Sequence, residues 1–542
     1  MAMLRVFLLI AKIRFVSFSV SSSWRGHDSV FWKVPIMKRE MIAAAVIALS
    51  VMSTALAAPT GATAGSPYAD IMIEAQLDTA LAAARRGDAQ LVALSLDTAM
   101  SAQIYKQLSP NTQHEVAFLY GMAELQLGHL DDAHHGFVLA SENPMAGLED
   151  WYQRLAIATT KNDAADAYLA FKQLRDHWPS FVSRLSLSDA IDLDVNFAAL
   201  KTAPEARRVF GETLARQDWH PPDPMEDPST VWLPYAVSLA ESGRADDALA
   251  IAGRITDPMS VIAMRADKRF DAAIAKDPDV FDPMKRGRAW LALMQKISKD
   301  APHRLEAKIA LARAFHKLSE NKQALEGLEA ALPETGGCNA GRPIYEDFCE
   351  EIANALILRG EILISLGRAD EGLAAHLSLL SVGRTKNDLL DLMTAARLNV
   401  FGHTDEALRI LDSPYRDTLS PYWPIAHAEI RACTLANAGR NKELQKEFAF
   451  LRAHKAQDPM HLEVAQLCAN DLDGAAATLI DMLRSPTDRS EALADLQIYS
   501  DVGLAPYSRI LRQRAAAVRA RRDVQAVLAP VGRVLTYDLQ RY

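Results

Sequence analysis

The chain lacks the residue types and motifs that most often announce a chemistry. It has four cysteines in 542 residues, and neither Cys338/Cys349 nor Cys433/Cys468 has the CxxC spacing of a zinc or redox site. Aromatic residues make up 7% of the sequence, without a run of them that would stack on sugar rings. There is no GxxxxGK[ST] loop, no GxGxxG on a strand, no GxSxG elbow and no HExxH helix. The usual signatures of nucleotide, dinucleotide, nucleophilic-serine and zinc-hydrolase chemistry are therefore missing. Strand-like alternation is scarce, while Ala and Leu are abundant. Positive charge is also in short supply. The net charge is −9, and an acidic body repels phosphate backbones, which excludes nucleic acid as the expected partner.

One apolar run stands out. In "MKREMIAAAVIALSVMSTALAAPTGA", Lys38 and Arg39 form a basic start, Ile42 to Leu56 an apolar centre, and Ala55-Leu56-Ala57 the small-x-small pattern cut by signal peptidase. The run is shorter than the roughly 20 apolar residues that span a bilayer. A signal peptide over 37–58, cleaved near Ala57/Ala58, is expected. The chain would then be periplasmic or secreted, with no stable membrane anchor. Residues 1–36 have no helical or strand period and read as a mis-assigned extension ahead of a true start at Met37. Residues 1–58 hold seven basic against two acidic residues, so their removal deepens −9 by five, to −14. In an oxidising compartment Cys338 and Cys349 are candidates for a disulfide across the loop "CNAGRPIYEDFC". Cys433 and Cys468, inside apolar helical stretches, read as small buried hydrophobes.

A recurring turn organises the remainder. "LQLGHLDDA", "LAESGRADDA", "ISLGRADEG" and "NVFGHTDEA" each carry a Gly, a polar or acidic stretch, and a small residue five positions after the Gly. One helix ends at the Gly and a second begins after the acids, whose charge suits a helix N-terminus. With the turn Gly numbered 15, the unit of Gly128 has Gly121 at 8, Ala133 at 20, Phe137 at 24 and Ala140 at 27. A shift of 34 brings Trp151 to 4, Ala167 to 20, Phe171 to 24 and Pro179 to 32; a later unit has Trp232, Ala236, Gly243 and Ala248 at 4, 8, 15 and 20. These residues resemble the tetratricopeptide repeat, of the kind found in exported bacterial proteins. Further units centre on Gly87, Ala206/Phe210, Ala324, Gly367, Gly402, Gly439 and Asn470, so the resemblance covers most of residues 70 to 485.

The resemblance implies an all-α fold, a right-handed α-solenoid of stacked helix-turn-helix repeats with a C-terminal helical cap. The expected organisation is an N-terminal repeat block over 59–256, a degenerate helical connector over 257–302, a second block over 303–490, and a basic cap and tail over 491–542. That tail carries Arg509, Arg512, Arg514, Arg519, Arg521, Arg522 and Arg533 against Asp523. It also implies a functional surface: the concave groove lined by first helices. The positions that line it fall on Arg313, His316, Lys317, Glu361, Asn399 and Asn437, side chains suited to hydrogen-bond or ion-pair with an extended peptide. Where a chaperone-tail clamp carries Asn, this chain has Met122, Arg313, Glu361, Ala396 and Cys433, so that specificity is not implied. His129, Asp131, Asp132, His134 and His135 are clustered, but at a solvent-facing turn where polar residues are expected anyway. No catalytic residue, metal or cofactor is expected. The expected function is a non-enzymatic scaffold that binds a protein or peptide along its groove. The alternative is an accessory to envelope assembly or export that associates with peptidoglycan or other carbohydrate.

Overall fold

The computed structural model describes residues 67–332, 345–382, 388–412 and 422–540. The export segment, the preceding leader and the loop with Cys338 lie outside the described residues, and so does the expected Cys338–Cys349 bridge. The described chain divides into two compact units that meet in sequence at Pro222 and Asp223, so residue 256 falls inside the second.

The first unit is four helical hairpins. They pair α1 (Pro67–Arg86) with α2 (Ala89–Ser101), α3 (Pro110–Leu127) with α4 (Leu130–Ser141), α5 (Leu148–Thr160) with α6 (Ala164–His177), and α7 (Leu187–Ala199) with α8 (Ala206–Arg216). The turns show why these residues make hairpins. Gly87, Gly128, Gly243, Gly367, Gly402 and Gly439 all adopt φ between +71° and +87°, the left-handed conformation that ends a helix and that only Gly enters freely. Asn162 and Asn470 do the same job at φ +56° and +59°. An Asp then starts the next helix: Asp88, Asp163 and Asp471 each accept a hydrogen bond from the backbone amide three residues on, which satisfies one orphan donor of the first turn.

Close approach of the paired helices is built in as well. A Cβ placed on Gly136 would lie 2.6 Å from the backbone nitrogen of Gly121, so α3 and α4 touch backbone to backbone. The small and aromatic repeat positions form the core between hairpins. Ala133, Phe137, Ala140, Ala167 and Phe171 are all fully buried. Phe171 packs within 5.3–6.2 Å of Tyr168, Phe181, Phe197 and Phe210. Each such ring contributes about 2–3 kcal/mol by leaving water.

The second unit begins with a further hairpin, α9 (Ser229–Glu241) with α10 (Ala245–Ala252), then α11 (Pro258–Ala266), the short α12 (Asp271–Lys276), which packs on α10, and α13 (Pro283–Asp300), which packs on α11. There follow α14 (Leu305–Lys317) with α15 (Asn321–Ala331), α16 (Phe348–Ser365) with α17 (Ala369–Val382), and α18 (Asp388–Val400) with α19 (Thr404–Leu411). The last pairs are α20 (Tyr422–Asn437) with α21 (Asn441–His454) and α22 (Pro459–Cys468) with α23 (Leu472–Arg484). Three terminal helices complete it: α24 (Arg489–Asp495), α25 (Pro506–Arg519) and α26 (Arg522–Val531).

Two features of this unit differ from a plain open stack. First, α24 packs on α11, and Ala266 shares a core cluster with Leu493, Val518, Val524 and Leu528, so the last helices of the unit meet an early one. Second, Cys433 and Cys468 are bonded to each other, with Cα atoms 4.9 Å apart. They are buried, as the sequence leads one to expect, but as a disulfide between the first helices α20 and α22 rather than as free hydrophobes. The helical array, the paired hairpins and the terminal helical cap otherwise follow the expected fold class. Among the described residues no helix is long and apolar enough to cross a membrane.

Candidate functional site

The six groove positions picked from sequence all lie on first helices of the second unit, but in different surroundings. On α14, Lys317 extends its ammonium to Asp257 at 2.7 Å and Asp227 at 3.2 Å. Asp257 is also the N-cap of α11 and accepts from the Ser260 amide at 2.8 Å. Burial alone would raise the Asp257 carboxyl, yet the Lys317 charge and the Ser260 hydrogen bonds hold it below its ordinary value. Lys317 therefore fastens α14 to the start of α11. Its neighbour His316 is 3% exposed, and burial pulls its pKa down to about 4, so the imidazole is neutral. Its Nδ1 lies 2.6 Å from Asn321 Oδ1. Arg313 is held below the usual guanidinium value by burial, against the opposing pull of Glu361, Glu351 and Glu306.

The other three positions belong to helix-to-helix contacts. Glu361 on α16 pairs with Arg397 on α18 at 2.9 Å. Asn437 Nδ2 on α20 donates to Asn399 Oδ1 on α18 at 3.2 Å, and Asn399 is almost wholly buried. Glu361 and Arg397 also line a recess of about 600 Å³. It is bounded by the first helices α16, α18 and α22 on one side, and by α25, the 495–505 loop and Gln540 on the other. Its wall is mixed, with Val464, Leu467 and Leu511 beside Glu463, Arg512 and Arg519. A space of that size suits a side chain or short peptide segment better than a single ion.

What faces α16, α18 and α22 across this recess is thus the chain's own C-terminal segment. The disulfide is one landing point: Tyr507 covers Cys433 and Cys468, and its hydroxyl donates to the Cys468 carbonyl at 2.9 Å. Three arginines of α25 serve as carbonyl caps. Arg514 donates to the carbonyls of Leu467 and Cys468 at 2.7 and 2.6 Å, at the C-terminus of α22. Arg512 donates to Ser500 at 2.8 Å, and Arg519 to Leu496 at 3.2 Å. A cation at the end of a helix is favoured by the helix dipole, so these arginines are engaged in holding the segment down.

Beyond α26 the chain runs in extended form. Arg533 N donates to Ala266 O at 2.9 Å, and Ile498 N to Leu535 O at 3.0 Å. Tyr537 N then donates to Ile498 O at 2.8 Å, and Ser500 N to Leu539 O at 2.9 Å. Ile498 and Thr536 form a parallel bridge. Side chains alternate: Thr536 and Asp538 face solvent, while Leu539 is buried against Ile262 and Tyr499. Gln540 ends the run in a polar slot. Its backbone N–H donates to Ser319 Oγ at 2.9 Å. Its amide donates to the carbonyls of Ser365 and Val502 at 3.1 and 2.8 Å, and its Oε1 accepts from Asn321 Nδ2 at 2.5 Å. Asn321 is thereby the link between His316 and the tail.

The sequence reading missed this ribbon, although "VLTYDLQ" has the period-2 alternation that marks an extended segment. In the first unit, several of the clustered His and Asp side chains are engaged in ion pairs. His134 contacts Asp166 at 2.8 Å and Lys161 contacts Asp131 at 2.6 Å. Glu124, His129 and Asp132 converge within 4.8 Å, with His129 hydrogen-bonded to Glu124 at 2.7 Å.

No family model matches the chain, and no curated protein matches it. Among solved structures it is similar to the APC/C hetero-tetramer Cut9-Hcn1, with a TM-score of 0.27 and 14% identity over 92% of this chain and 95% of that one. For Naa15/Naa10 bound to HypK-THB the values are 0.25 and 10%, over 90% and 96%. For the P58(IPK) TPR domain they are 0.16 and 14%, over 77% and 99%. Scores this low describe no shared superposition, and the hairpin geometry of the chain itself carries the fold.

Proposed function

We propose that the chain is an exported, non-enzymatic scaffold that holds a protein or peptide against the first-helix side of its hairpins. The observation that carries this reading is the seating of residues 533–540. An extended peptide already lies in the second unit, bound through its main chain to residues 498–500 and through a side-chain amide to the start of α15 and the end of α16. Repeat surfaces that accept an extended segment of their own chain have the chemistry to accept one from another. The strongly perturbed groups fit a structural role: His316 and His376 are both more than 95% buried, and burial is the main cause of their lowered pKa values.

Two features support export. The apolar segment Ile42–Leu56 has signal-peptide form, and a Cys433–Cys468 disulfide suits a compartment where thiols are oxidised. The test is capture of partners from the exported fraction after crosslinking, wild type against Arg313→Glu. A changed partner profile is expected, and identical profiles would count against the groove. N-terminal sequencing of the exported chain should begin near Ala58 or Pro59; a chain beginning at Met1 would refute the export reading.

A further inference from the structure

We propose that residues 533–540 are an internal ligand of the second unit, whose place is taken in trans by an extended partner segment of the same chemistry: alternating apolar residues that end in an apolar-amide pair. The proposal rests on the scaffold reading above and specifies both its ligand and its regulation.

The slot around Gln540 selects an uncharged amide. It offers two carbonyl acceptors, Ser365 O and Val502 O, and one donor, Asn321 Nδ2. A carboxylate could not donate to the carbonyls, and an ammonium could not accept from Asn321; only a primary amide satisfies all three. A site built to hydrogen-bond a group rejects the analogue that leaves its buried polar atoms unpaired. One residue earlier, the apolar site formed by Ile262 and Tyr499 takes Leu539. The two solvent-facing positions, Thr536 and Asp538, impose nothing.

Ser319 shows that the local backbone is adapted to this contact. It occupies the helix-ending turn where other repeats have Gly, at φ +60°, a conformation that disfavours a side chain. What the serine supplies in return is the Oγ that accepts from the Gln540 backbone. The internal ligand also fits imperfectly, as a displaceable occupant should. Tyr537 Oη is buried without a hydrogen-bond partner among the described residues, so a competitor with Phe at that position loses nothing and avoids stranding a hydroxyl. The ribbon follows α26 as an extended segment, held by main-chain bonds at a few points and by the Leu539 and Gln540 side chains at its far end, and segments held at so few points open without global unfolding.

The test is fluorescence anisotropy with a labelled, C-terminally amidated peptide of residues 533–540, RVLTYDLQ, added to the full-length chain. Leu539→Ala/Gln540→Ala in the chain loosens its own tail while leaving the slot intact, and should tighten peptide binding at least tenfold over wild type. The peptide with its terminal Gln changed to Glu should bind at least tenfold more weakly, and the peptide with Phe in place of Tyr at least as tightly. Equal binding to wild type and tail variant, or to Gln and Glu peptides, would overturn the proposal. Should the tail variant lose its helical circular dichroism, hydrogen exchange on the wild type decides: saturating peptide should speed exchange of the chain's own 533–540 amides, and unchanged exchange refutes displacement. Partner capture in the exported fraction is read separately. A chain that passes the peptide assay yet captures nothing leaves this site standing and removes the scaffold role.

Discussion

Replacing Cys433 and Cys468 by alanine should destabilise the second unit by about 4 kcal/mol. The two cysteines are 35 residues apart in sequence, and closing a loop of that length removes unfolded-state entropy worth about 4 kcal/mol at 25 °C in the chain-entropy treatment. Packing adds to this. Both cysteines lie under Tyr507, and the Cys468 carbonyl receives hydrogen bonds from Tyr507 and Arg514, so slackening between α20 and α22 also loosens α25. The assay is urea unfolding of wild type and Cys433→Ala/Cys468→Ala, following the transition of residues 223–542 by hydrogen exchange read peptide by peptide. The first unit, which has no part in the bond, should keep its midpoint. An unchanged midpoint for the second unit would refute the reasoning. So would alkylation of both thiols in the native exported protein under non-reducing conditions.

Other substitutions test separate parts of the account. Lys317→Met leaves Asp227 and Asp257 without their cation and should cost the second unit about 3 kcal/mol, measured by thermal unfolding at pH 7. Phe171→Ala empties the centre of a five-ring cluster and should cost the first unit about 3–5 kcal/mol; a loss below 1 kcal/mol would mean that the cluster is not its core. Glu306 is 1% exposed, and burial, with Asp223 and Glu351 nearby, pushes its carboxyl up to about 8. The unfolded chain releases this proton near the ordinary value of about 4.5 while the folded chain keeps it, so Glu306 lowers stability progressively as pH rises from there to about 8. Glu306→Gln should therefore raise the melting temperature more at pH 8 than at pH 5. The opposite pH trend would refute the assigned protonation.

The hairpins were legible because two physical requirements leave few residue choices. A helix that ends in the left-handed conformation favours Gly or Asn, and every turn Gly named from sequence has positive φ. Helices that pack as closely as α3 and α4 need residues such as Gly121, Gly136 and Ala133 at the contact. The groove residues were less legible, because position within a repeat fixes which helix carries a side chain but not what reaches it from elsewhere. Lys317 meets Asp227 and Asp257 from far along the chain, and Asn399 is covered by its neighbour Asn437. The disulfide had a readable signal: a separation of 35 is about one repeat, which stacks Cys433 and Cys468 on successive first helices. Ser319 hid its turn because it stands where other repeats have Gly, and the residue its hydroxyl meets, Gln540, lies more than 200 residues away. The arginines of α25 marked a basic cap, but not their partners: Arg512, Arg514 and Arg519 donate to carbonyl oxygens within the unit.

Site-specific photocrosslinking in the exported fraction tests most directly whether the first-helix side is the binding surface. A benzoylphenylalanine at Val464, on α22 beside the recess, should give a discrete crosslinked adduct that excess RVLTYDLQ peptide abolishes. The same group at Lys446, exposed on the second helix α21, should give none. Adducts of equal yield from both positions, or an adduct at Val464 that the peptide leaves untouched, would contradict the account.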